Sequence, residues 1–264
     1  MKGGALLEIT GLGMNFGGLR AIDDVSLQVG GGEIVALIGP NGAGKTTLFN
    51  CVTGVYRPTS GQICLHRPDL PAVRIDGLPP HRVTALGLAR TFQNIRLFAG
   101  MSALENVMLG RHCRTRTGLL GGILHRAAGR REEQETVAIS HALLEWVGLA
   151  RLADEPAGAL PYGAQRRLEI ARALATEPSL LLLDEPAAGM NPQETRELDE
   201  LIVRIRDHFK LAILLIEHDM KLVMNISERI CVMEYGKLIA SGTPVQVRSN
   251  PQVIEAYLGE DGHA

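Results

Sequence analysis

Cysteine is scarce in this sequence, with Cys51, Cys64, Cys113 and Cys231 the only four among 264 residues. They are scattered and form no C-x-x-C pair, which argues against both a zinc site and a disulfide framework. Reduced thiols in a cytosolic protein are the expectation. Long apolar runs are also missing. The strongest, "SLLLLD" at Ser179–Asp184 and "LAILLIE" at Leu211–Glu217, are far too short to cross a bilayer, so a membrane role has to come through a partner. After Met1, Lys2 is followed by glycines and an apolar run that Glu8 interrupts, which is not the pattern of a signal peptide. Charge of one sign is lacking too. Lys plus Arg total 27 against 29 Asp plus Glu, a net −2 that does not suggest a nucleic-acid binder. No internal repeat and no low-complexity segment interrupts the chain.

What remains is the composition of a packed globule, 45% hydrophobic and 21% charged. The N-terminal segment reads as β-rich. "LLEI" and "VSLQV" are separated by turn-like glycines, and "EIVALI" (Glu33–Ile38) is a continuous apolar strand suited to burial on both faces. A helix is expected from Thr46 to about Val52, a strand at "GQICL", and a short proline-opened helix at "PPHRVTALG". The middle segment reads as mainly helical. Ser102 with Glu105 forms a capping box, and Ile139, Leu143 and Val147 repeat every fourth residue along a later helix. After Gln165 the α/β rhythm returns. "LLLLD" and "LAILLIE" are parallel-type strands around a helix opened by Asn191, Pro192 and Glu194. A hairpin at Arg229–Gly242 turning at Gly236, then two short helices, complete the pattern.

"GPNGAGKTT" lies between a strand and a helix and satisfies G-x-x-x-x-G-K-[ST] through Gly39, Gly44, Lys45 and Thr46. The loop Gly39, Pro40, Asn41, Gly42, Ala43 and Gly44 lets backbone N–H groups, of which Pro40 has none, close around phosphate oxygens. Lys45 brings a point charge to the β- and γ-phosphates, and the hydroxyl of Thr46, next to Thr47, can ligate Mg²⁺. The second half of such a site is an acid at the end of a neighbouring strand, and "LLLLDEP" provides it. Asp184 can hold Mg²⁺, directly or through water, and Glu185 is placed as general base for a water attacking the γ-phosphorus. The stretch "LPYGAQRRLEIARAL" opens a second anion-ready helix start at Gly163 and Gln165, more than a hundred residues further on.

On "GPNGAGKTT" and "LLLLDEP" the chain resembles the nucleotide-binding subunits of ABC transporters, over nearly its whole length. The resemblance implies an α/β P-loop NTPase core of RecA type with an N-terminal antiparallel β subdomain and an inserted helical lobe. The core is expected at 1–93 plus 165–264 and the helical subdomain at 94–164. In "RTFQ", Gln93 would touch Mg²⁺ or the lytic water. In "IEHD", His218 would contact the γ-phosphate, and "AAGMN" lies where the family has its D-loop. Phe16 sits where the family stacks an aromatic on adenine, and reads equally well as a turn or core aromatic. "LPYGAQ" resembles the family signature, written L-S-G-G-Q, in which one subunit caps the ATP held by the other. Tyr162, Gly163 and Gln165 would thus serve a partner's nucleotide. Pro161 and Tyr162 depart from the pattern, removing a serine hydroxyl and a glycine.

Within the family the resemblance is to ATPase subunits of branched-chain amino-acid importers, most specifically through "DEPAAGMNP" and "NPQVIEAYLG". It implies an ATP- and Mg²⁺-dependent enzyme that powers a transmembrane permease and is peripheral on the inner face of the membrane. A second ABC ATPase chain completes it, with a heterodimer favoured over a homodimer, and a periplasmic substrate-binding protein is an indirect partner. Importers of urea or short amides, and lipid or lipopolysaccharide exporters, are the alternatives. The Gly/Arg-rich segment Cys113–Arg131 reads equally as a permease or headgroup contact and as a solvated insertion.

Overall fold

The computed structural model describes residues 5–67, 70–114 and 126–258. Most of the Gly/Arg-rich segment, residues 115–125, therefore lies outside the described residues.

Two sheets organise the fold. The first is four-stranded and antiparallel, in the order β2-β1-β4-β5, with β1 Ala5–Phe16, β2 Leu19–Gly30, β4 Ser60–Leu65 and β5 Val73–Arg74. The glycines expected to end the first strand lie inside it. β1 runs through Gly11 and Gly13 to Phe16, with register shifts beside them, and the turn is made by Gly17 and Gly18 instead. The reason is a pair of bulges, where an extra residue bends a strand without ending its pairing.

The second sheet has six strands in the order β10-β9-β3-β8-β7-β6. They are β3 Ile34–Ile38, β6 Leu88–Arg90, β7 Leu180–Asp184, β8 Ala212–Ile216, β9 Arg229–Glu234 and β10 Lys237–Gly242. All neighbours are parallel except β9 and β10, which form the expected hairpin. Every residue of β3, β7 and β8 is buried, as their unbroken apolar runs require. Along β7 the side chains alternate between two cores. Leu181 and Leu183 face one, Leu180 and Leu182 the other.

Helices cover this sheet: α1 Lys45–Val52, α2 Pro80–Ala85, α3 Ala103–Arg111, α4 Arg126–Trp146, α5 Tyr162–Leu174, α6 Pro192–Phe209, α7 Met220–Ile226, α8 Pro244–Arg248 and α9 Pro251–Leu258. The capping boxes at Ser102–Glu105 and Asn191–Glu194 are both formed, which starts α3 and α6 where the sequence predicts. Val107 of α3, Leu143 and Val147 at the α4 end, and Leu168 of α5 join one core with Leu181 and Leu198. The helical insertion is thereby packed onto the sheet through α5.

Candidate functional site

Register alone aligns the site. In the parallel sheet Ile216 pairs with Leu37 of β3 on one side and with Asp184 of β7 on the other. The residues that follow, Gly39, Glu217–His218 and Glu185, consequently emerge at one level on the carboxyl edge, where ligands bind in open α/β sheets. The acidic strand is not next to the phosphate-loop strand, as the sequence suggested. β8 stands between them and delivers His218 to the gap. One strand further, Arg90 pairs with Leu182, so Gln93 and Glu185, each three residues on, also stand level.

The phosphate loop joins β3 to α1. Gly39 has φ 147° and Gly44 φ 100°, and a Cβ on them would meet the Met233 carbonyl at 2.0 Å and the Ala21 carbonyl at 2.5 Å. Only glycine fits this tight cradle. The buried Lys45 curls over it, its Nζ donating to the Gly39 carbonyl at 2.6 Å and the Pro40 carbonyl at 2.8 Å. One cleft of ≈ 510 Å³ is lined by the loop from Asn41 to Thr47, by Phe16, and by Gln93, Glu185 and His218. Phe16 is 41% exposed and meets Tyr56 edge-to-face at 5.3 Å. Tyr235, on the β9–β10 turn with φ 45°, lines the same cleft, and nothing in the sequence singled it out.

Glu185 is the centre of the arrangement. Gln93 Nε2 donates to its Oε2 at 2.7 Å, and His218 Nε2 lies 3.0 Å from its Oε1. Its backbone is in the left-handed region at φ 47°, a conformation that costs about 1–3 kcal/mol in a non-glycine residue and persists only where surroundings impose it. Asp184 is buried and accepts from Arg90 Nη2 at 2.6 Å. Arg90 also donates to the Asn50 side chain at 2.6 Å, tying α1 to the acidic strand.

Glu217, missed in the sequence, is a buried carboxylate beside His218. It accepts from the Ala187 N–H at 2.8 Å and the His218 N–H at 3.0 Å, so it holds the loop after Glu185 against the switch segment. Burial pushes its carboxyl up, and the neighbouring Glu185 charge adds to that, while the three N–H groups oppose it. A polar residue immediately before a strand-end histidine was the available signal.

The Tyr162, Gly163 and Gln165 corner does not line this cleft. Pro161 takes the N-cap position of α5 and makes no side-chain cap bond. Tyr162 donates to the Ala188 carbonyl at 2.9 Å, and Gln165 donates to the Leu160 carbonyl at 2.8 Å.

For a metal, the expected donors are Thr46, Asp184 and Gln93, all of which can offer oxygen. Among the described residues no group of three or more His, Cys, Asp or Glu could hold an ion. One carboxylate with a hydroxyl and an amide oxygen fits Mg²⁺, which binds through one or two carboxylates plus substrate phosphates and water.

Comparison with known proteins decides the family. Residues 22–188 match the ABC transporter family, and residues 237–263 match the family described as branched-chain amino acid ATP-binding cassette transporter. The chain is 52% identical to the high-affinity branched-chain amino acid transport ATP-binding protein LivG of Escherichia coli (strain K12), covering 97% of this chain and 98% of the relative.

This chain belongs to the ATP-binding subunits of ABC transporters, branched-chain amino-acid type.

The high-affinity branched-chain amino acid transport ATP-binding protein BraF of Pseudomonas aeruginosa is 51% identical over 97% of this chain and 98% of its own. A lipopolysaccharide export system ATP-binding protein of Acidithiobacillus ferridurans is 35% identical, again with 97% of this chain and 97% of the relative covered. Among solved structures, an ATP-binding cassette of an ABC transporter in its ADP conformation superposes with TM-score 0.83 at 31% identity, covering 97% of this chain and 99% of that one. As an ABC ATPase the chain is an enzyme that couples ATP hydrolysis to transmembrane transport. No described helix of this ABC subunit is long and apolar enough to cross a membrane.

Proposed function

We propose that this chain hydrolyses ATP to power the import of branched-chain amino acids through a membrane permease, and that it works from the cytoplasmic face as one half of an ATP sandwich with a second ABC ATPase chain. The observation that carries the chemistry is the bracketing of Glu185 by Gln93 and His218 in the cleft that the phosphate loop lines. The substrate rests on the full-length likeness to LivG and BraF, at 52% and 51% against 35% for the lipopolysaccharide export relative.

The roles follow from the side chains. The Gly39–Thr47 backbone and Lys45 bind and neutralise the triphosphate of the substrate ATP. Phe16 offers its exposed ring to adenine. Glu185 takes the proton of the attacking water, with Gln93 and His218 fixing the orientation of its two oxygens. Thr46, Asp184 and Gln93 would hold Mg²⁺, which when bound would add charge neutralisation on the phosphates. The corner Tyr162–Gln165, at the free end of α5, faces the nucleotide of the other chain, with backbone N–H groups and the helix dipole in place of the missing serine hydroxyl. Residues 94–164 form the helical arm that moves this corner. A substrate-binding protein enters the cycle only through the permease.

The test is reconstitution with the co-purifying permease in liposomes. ATP-dependent uptake of labelled leucine that Glu185→Gln abolishes is the expected result. Uptake of a different substrate class, or uptake unaffected by the variant, overturns the reading.

A further inference from the structure

The family pattern has glycine where this chain has Tyr162, and the structure gives that tyrosine work inside its own subunit. Its hydroxyl donates to the Ala188 carbonyl at 2.9 Å, in the loop that follows Glu185. Its ring lies against Gly189, where an added Cβ would stand 3.4 Å from Tyr162 Cε1. One helical turn on, Arg166 is wholly buried at 0% exposure. Its guanidinium donates to the Phe92 carbonyl at 2.6 Å, the Gln93 carbonyl at 2.8 Å and, more loosely, the Tyr162 hydroxyl at 3.4 Å. Glu169 completes the clamp. It accepts from Arg166 at 2.8 Å and from the Phe92 and Arg96 N–H groups at 3.3 Å each.

We propose that Tyr162 is a positioning residue that links the loop after Glu185 to the glutamine loop through Arg166. The loop is then gripped from both sides. Tyr162 holds the Ala188 carbonyl, and Glu217, beside His218, holds the Ala187 N–H at 2.8 Å. A glycine at position 162 would leave the first grip without a donor. With tyrosine there, a shift of Gln93 pulls on Arg166, and through the Tyr162 hydroxyl on Ala188. The corner that faces the second chain moves with the loops that orient the base. Only this last consequence rests on the two-chain reading above.

Tyr162→Phe removes the hydroxyl and keeps the ring. Amide exchange on the isolated full chain is expected to speed up at Ala188–Met190 and at Gln93–Asn94. In the assembled permease complex kcat should fall about fivefold, the effect of losing one ordinary hydrogen bond, with KM for ATP unchanged. Unchanged exchange, or unchanged kcat in the complex, overturns the proposal. So does a rise in KM alone, which would make the Tyr162 hydroxyl, rather than the backbone of this corner, the contact to nucleotide. Failure of the two-chain reading shows separately, as a Glu185→Gln variant that does not dimerise with ATP.

Discussion

Arg90 and Asp184 meet at 2.6 Å across neighbouring strands, with both side chains almost wholly out of solvent. The pair ties β6 to β7 on the residue just before Glu185. Such a pair contributes little net stability when intact, because both charges were desolvated to form it. Removing one partner is a different matter. Arg90→Ala strands the carboxylate and is expected to cost about 3 kcal/mol, read as a lower urea midpoint. An unchanged midpoint would mean that Asp184 finds another partner.

Asp199 faces the switch region from α6 and carries the chain's clearest pH dependence. Burial pushes its carboxyl up from 3.8 to about 6, and Asp219, Glu217 and Glu200 add to this against a hydrogen bond from Asn225. Its Oδ1 has no partner. The folded state therefore binds this proton more tightly than the unfolded chain. Between the two values stability falls as pH rises, and the ionised form stays a burden above about 6. Asp199→Asn should accordingly stabilise the protein by about 1 kcal/mol at pH 8 and have little effect at pH 4. Equal midpoint shifts at both pH values would count against this assignment.

Glu185→Gln keeps shape and hydrogen-bonding reach but loses the base. Turnover in the assembled complex should drop by about 100-fold or more, with ATP still bound. Single-turnover kinetics with labelled ATP separates the two effects, and near-normal hydrolysis would remove Glu185 from the role of base.

Lys45→Ala deletes the buried ammonium that bonds to the Gly39 and Pro40 carbonyls. Calorimetric titration should then detect no ATP binding, although the fold is retained. Wild-type affinity would place the triphosphate elsewhere.

Pro161→Ser restores the cap hydroxyl that α5 lacks. Higher turnover of the assembled complex is expected, and turnover equal to the parent would show that the hydroxyl is dispensable here.

These experiments touch residues of very different legibility. The phosphate loop, the acidic strand and the helix starts at Ser102 and Asn191 could be read directly, because each is a local motif whose chemistry lies within a few residues. Gln93 and His218 were visible only through family likeness, since a lone glutamine or histidine carries no local signal, whereas the signature corner showed as a helix start and took its role from the likeness. Arg90, Glu217 and Arg166 escaped altogether. Their partners are 94, 30 and 73 residues away in sequence, and only the register of β6, β7 and β8 or the docking of α5 brings them together. The glycines of β1 misled for the opposite reason. Gly11 and Gly13 look like a turn locally, yet pairing with β2 and β4 on both sides turns them into bulges.

In the two-chain reading, one subunit's cradle is completed by the other's signature corner. A cryo-EM structure of the Glu185→Gln complex loaded with ATP tests it most directly. The γ-phosphate is expected between Lys45 of one ATPase chain and the corresponding signature helix start of the other. A map with the Tyr162–Gln165 corner distant from every bound nucleotide would contradict it.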